Sequence, residues 1–259
     1  MTSSYGLKYS IKKKPGYMSN FWRRRIPAIL VPAFIANITG VLIGALKGNE
    51  ISLLLFLNIN NWVKVLLLYY FSFWIIYHVL IKYVKEGRWQ DVLMCAVVLI
   101  CSLVDRLTSF KITSIWIVEP LGFAYGIIAA NHEEQIKEWF AERWGIKSIT
   151  LMVLSGVLGI AYLKLKPIAF WGDYCLKIFL GIVITSFIFI VLSKVRAGNS
   201  INGFLGNISY EVYLMHGAAF GLIAMVGNLN SGVYICGAIF LTIALSFLLN
   251  MMCRRILNR

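Results

Sequence analysis

Ser209, Tyr213 and His216 stand at i, i+4 and i+7, so on a helix all three side chains project from one face and can line one cavity. An imidazole is the side chain best suited to take a proton from a hydroxyl near neutral pH, and neighbouring serine and tyrosine hydroxyls can orient that proton. The same residue types also serve as plain hydrogen-bonding glue between helices in a membrane. Gly203, Gly206 and Asn207, just upstream, read as a turn-prone approach to this helix. Tyr210 lies in the same run, and Glu211 falls in the first turn, where a carboxylate complements the helix dipole.

Further reactive groups are scattered. Glu119, within Glu119-Pro120-Leu121-Gly122, sets a carboxylate inside an apolar stretch, where it needs a partner or water. His78 has no acidic residue one helical turn away, and His132 sits beside Glu133 and Glu134 in a polar segment, so neither reads as a general base. Arg23, Arg24 and Arg25, with Lys12 to Lys14 and Trp22 nearby, form the densest cationic cluster. Such a cluster orients a membrane protein, and it is also the chemistry that clamps phosphates. There is no G-x-x-x-x-G-K loop and no His/Cys/Asp grouping at metal spacing, so no metal site is expected. The five cysteines read as small apolar packers.

The elements that must hold these residues are membrane spans. Of 259 residues 59% are apolar and only 14% charged, with mean hydropathy +0.77, well beyond a soluble domain. The net charge of +14 is distributed between the apolar runs rather than gathered on one patch, which argues against nucleic acid and for the bilayer as partner. Residues 1–20 contain no apolar core and read as a basic, polar lead-in. Apolar runs near residues 26–46, 62–84, 89–104, 115–130, 148–163, 174–192, 209–226 and 233–252 predict an all-α polytopic bundle of about eight spans. Basic clusters before the first run and after the last put both termini in the cytoplasm. Residues 51–57 are too short to cross. Residues 132–147, with Ile136, Trp139, Phe140 and Trp144 at helical spacing, read as a cytoplasmic interfacial helix. No internal repeat is visible, so residues 1–259 are taken as one membrane domain.

The run Gly206-Asn207-Ile208-Ser209-Tyr210-Glu211-Val212-Tyr213-Leu214-Met215-His216 resembles the Leu-Gly-x-Ile-Ser-Tyr-x-x-Tyr-Leu-x-His motif of the acyltransferase-3 family. Ser3 to Leu7, Tyr17 to Ile26 with Pro32, and Trp116 to Gly126 are similar to further segments of that family. The resemblance implies an integral membrane enzyme, expected in the bacterial cytoplasmic (inner) membrane. It would move an acyl group, typically acetyl from acetyl-CoA as donor substrate, onto a hydroxyl of a surface glycan or similar acceptor. On this reading Arg24 and Arg25 hold the acyl donor, Ser209, Tyr210, Tyr213 and Glu119 line the cavity, and His216 is the base available in the chain. Two departures stand out. The family's R-x-x-R pair would need Arg where Ala28 stands, and the family's first two helices, with their arginine and catalytic histidine, have no counterpart here. The chain is therefore expected to be amino-terminally incomplete relative to the family, or a non-catalytic remnant. A different class, a transporter or carrier for a lipid-linked sugar or small polar solute, would use Glu119, His78 and His216 as coupling groups.

Overall fold

The computed structural model describes residues 2–14, 16–52, 55–56, 58–80, 83, 87–107, 121–168, 170–194, 199–227 and 230–257. These form helices and short turns with no strand, as hydrocarbon demands: a helix satisfies its backbone groups within one segment. In chain order the helices are α1 (Thr2–Lys13), α2 (Phe21–Leu46), α3 (Asn61–Trp74, continued by a π turn Ile75–Val79), α4 (Gly87–Leu107), α5 (Leu121–Asn131) and α6 (Glu133–Ala141). There follow α7 (Trp144–Leu165), α8 (Lys177–Lys194, entered through a π turn Trp171–Leu176), α9 (Ser200–Asn207), α10 (Ser209–Ile223) and α11 (Ser231–Ile256). Among the described residues 6 helical segments are long and apolar enough to cross a membrane: Phe21–Leu46, Asn61–Val79, Trp144–Leu165, Trp171–Lys194, Ser209–Val226 and Ser231–Ile256. Two more of the expected spans correspond to α4, which carries Arg88, Asp91, Asp105 and Arg106 near its ends, and to the 11-residue α5. Residues 108–120, including Glu119, lie outside the described residues.

The chain divides into two compact units, Met1–Ser19 with Leu68–Ala197, and Asn20–Leu67 with Gly198–Arg259. In the first, α1 and α4 both pack on α5, and α7 packs on α8. The basic lead-in is thus a helix. Its sequence is polar on average, and tertiary contacts hold it: Ser4 and Leu7 are fully buried, and buried Lys8 reaches Asp91 on α4 at 2.5 Å. Tyr77 and Asn131 donate to the same carboxylate, and the Lys8 ammonium lies 4.6 Å from the Tyr77 ring centroid. Lys12 Nζ donates to the Ala130 carbonyl at 2.7 Å, which satisfies one of the carbonyls left open at the end of α5. The segment expected as an interfacial helix is α6 plus the first turn of α7, separated at Arg143, whose φ of 48° is left-handed. Trp144 Nε1 donates to the Ile190 carbonyl at 2.7 Å and ties α7 to α8.

The second unit is built from α2, the first turns of α3, and α9 to α11. Tyr210 on α10 meets Ile29 on α2, while Gly221 further along α10 faces Ile43 and Lys47 at the other end of α2, so these helices run in the same direction. Helix α11 runs against them, with Asn250 beside Glu211 and Gly237 beside Ile223. Ala36, Met215, Leu249 and Cys253 form the core where the three meet, with Val31, Ile35, Leu214, Ala218 and Leu245 packed around it. Asn37 in mid-α2 donates to the carbonyls of Leu55 and Phe56 at 2.9 and 2.8 Å. These two bonds tie Leu55 and Phe56 to α2 and satisfy their carbonyls.

Candidate active site

The motif residues all fall on α10 or at its entrance. The run before them is not a turn but helix α9, because the Asn199 side chain accepts from the Asn202 amide and caps it. Ser209 Oγ donates to the Gly206 carbonyl at 3.0 Å, joining α9 to α10. Tyr210 points the other way, and its Oη donates to the Ile29 carbonyl at 3.0 Å. Proline 32 has no N–H to give the Ala28 carbonyl, and α2 runs through this loosened turn beside which Tyr210 docks. Tyr210 is therefore a fastener between the two parallel helices.

Tyr213 and His216 lie one turn further in. The Tyr213 ring packs edge-on against Trp62 at 6.3 Å between centroids, and the His216 ring lies 5.8 Å from Tyr213 and 5.9 Å from Phe220. His216 Nδ1 is 2.5 Å from the Tyr213 carbonyl oxygen. A carbonyl oxygen only accepts, so Nδ1 must carry the hydrogen. In the neutral ring Nε2 is then left with its lone pair, in an exposed side chain. That is the tautomer a general base requires.

The buried stripe of α10 is the other face: Glu211, Met215, Ala219 and Ile223. Glu211, read from the sequence as a dipole-complementing residue, is only 7% exposed and accepts from Asn250 Nδ2 at 2.9 Å. Asn250 was invisible as a partner because it lies 39 residues away on α11; local spacing carries no signal for such a pair.

Arg24 and Arg25 occupy the first turn of α2, at the same end as the start of α10. Arg25 precedes Ile29 by one turn and His216 follows Tyr210 by six residues. Helical rise therefore separates the arginine level from the imidazole by about 15 Å along the shared helix direction. The structure brings Arg24, Arg25, Ser209, Tyr210, Tyr213 and His216 onto two adjacent parallel helices, but Ser209 and Tyr210 are engaged with backbone carbonyls. His78 stacks on Trp74 at 5.3 Å in the other unit. No cluster of three or more potential metal ligands occurs among the described residues.

Apolar helices of spanning length, with Arg23 to Arg25 in the first turn of α2, define an integral membrane protein. Residues 1–251 match the model of the family Acyl_transf_3, described as "Acyltransferase domain". The chain belongs to that acyltransferase family. No curated protein and no solved structure matches it.

Proposed function

We propose that this membrane acyltransferase moves an acetyl or similar acyl group from a cytoplasmic acyl-CoA to a hydroxyl of a surface glycan or related acceptor. The observation that carries this reading is the 2.5 Å approach of His216 Nδ1 to the Tyr213 carbonyl oxygen. The Nδ1–H is engaged by that carbonyl, which leaves Nε2 to accept the hydroxyl proton as the hydroxyl oxygen attacks the thioester carbonyl. Collapse of the resulting tetrahedral species expels the coenzyme A thiolate, and the imidazolium can return the proton to that sulfur. Arg24 and Arg25, about 15 Å back along the helix direction, hold the donor's phosphates at a level that leaves the pantetheine arm to span the difference. Tyr213 and Phe220 flank the imidazole and restrict its rotation.

The test is transfer of labelled acetyl from acetyl-CoA to glycan in membranes expressing the chain. His216→Ala and His216→Gln should each lower the rate by two orders of magnitude or more, within the range general-base catalysis contributes. Arg24→Gln/Arg25→Gln should mainly raise KM for the donor. Transfer that persists at the wild-type rate in both His216 variants would overturn the assignment of the base.

A further inference from the structure

We propose that the cleft between α9 and α11 is a binding site for the headgroup of an anionic, hydroxylated phospholipid such as phosphatidylglycerol. The cleft has a volume of about 430 Å³ and lies wholly within the second compact unit. From α11 it is lined by Phe247, Asn250, Met251 and Arg254, which are spaced to share one helix face. From α9 it is lined by Ser200, Gly203, Phe204 and Asn207. The Phe204 and Phe247 rings lie 5.6 Å apart, so the cleft has an aromatic, apolar wall that leads to a cation.

Three features choose the occupant. First, Arg254 is exposed and makes no ion pair among the described residues, so its guanidinium is available to a phosphate as a forked donor. It lies in the last turn of a 26-residue apolar helix, the level at which phospholipid headgroups meet a spanning segment. Second, Asn250 Nδ2 donates to Glu211 Oε1 at 2.9 Å and to the Asn207 carbonyl at 3.4 Å. The Asn207 carbonyl only accepts, so it fixes the amide orientation and leaves Oδ1 as the atom that can accept from a ligand. A headgroup that offers both a phosphate and a hydroxyl one helical turn away meets both demands. Third, Gly203 has nothing within 4 Å of the position its Cβ would take. A side chain at this position would project into open space.

This proposal is independent of the acyl-transfer reading and is tested by binding alone. Full-length protein in phosphatidylcholine nanodiscs is titrated with short-chain phosphatidylglycerol, with retention read by native mass spectrometry and the unfolding midpoint read alongside. Wild type should retain phosphatidylglycerol and gain thermal stability, whereas added phosphatidylcholine should do neither. Arg254→Gln should weaken binding by about tenfold or more, the loss expected for one charge-assisted contact. Gly203→Leu should weaken binding by occupying part of the cleft, and Arg255→Gln, which does not line it, should bind as wild type. Should Gly203→Leu fail to fold, Arg254→Gln with an unchanged midpoint in phosphatidylcholine carries the test. Equal binding by wild type and Arg254→Gln, equal retention of both lipids, equal affinity for free glycerol phosphate, or displacement of the lipid by coenzyme A would each overturn the proposal.

Discussion

At the scale of single residues, the decisive groups are those whose partner lies far away in the chain. Asp91 gathers the Lys8 ammonium, the Tyr77 hydroxyl and the Asn131 amide, and the pair is largely out of solvent, with side chains 9% and 14% exposed. Removing one charge leaves the other buried and uncompensated, which costs about 3–5 kcal/mol, more than the intact pair contributes. Asp91→Asn should therefore lower the unfolding midpoint in detergent sharply, and Lys8→Met on that background should recover most of the loss. Equal midpoints for Asp91→Asn and wild type would refute the assignment of this network. Glu211 poses the same problem on a smaller scale. Asn250→Leu removes the amide donor to its carboxyl group and should destabilise by about 1–3 kcal/mol, whereas Glu211→Gln, which retains an acceptor, should cost less. The motif residues Ser209, Tyr213 and His216 were legible because helical spacing alone places them. Lys8 with Asp91 and Glu211 with Asn250 were not, because 83 and 39 residues separate the partners.

Among elements, close approach sets what can be changed. Glycine 172, in the π turn that leads into α8, leaves room for the Leu165 carbonyl: a Cβ there would sit 1.7 Å from that oxygen. Backbone cannot step aside as a side chain can, so Gly172→Ala should prevent correct entry into α8 and leave little folded protein by size-exclusion chromatography. Gly237 on α11 is a milder case. Its Cβ would meet the Ile223 Cδ1 at 2.3 Å, the far end of a flexible side chain. Gly237→Ala should cost about 1–3 kcal/mol from overpacking, and Ile223→Val, which deletes that carbon, should restore the midpoint. A Gly237→Ala midpoint that Ile223→Val lowers further would show that the two helices are not in this register. The long apolar helices were readable because composition and length dictate them. Helix α1 was not, since its buried positions include Ser4 and Lys8, whose types do not announce a core.

For the whole molecule, the direction of the helices makes the charge distribution informative. Because α2 and α10 run together and α11 runs back, Arg23 to Arg25 and Arg254 with Arg255 collect at one end of the second unit. The turn at Gly48 and Asn49, past the end of α2, lies at the other end. Clustered Lys and Arg resist translocation, so the arginine end is predicted to face the cytoplasm. The same end holds the first turn of α2, so a donor made in the cytoplasm would meet Arg24 and Arg25 without crossing the membrane, and the imidazole of His216 would be reached from that side. In a variant with all five cysteines replaced, Asn49→Cys should react with an impermeant maleimide added to intact cells, whereas Ser200→Cys should react only after permeabilisation. The reverse pattern would place Arg24, Arg25 and the cleft beside Arg254 on the outer side, where a cytoplasmic acyl-CoA could not reach them. The donor would then have to be an acyl group already carried across the bilayer.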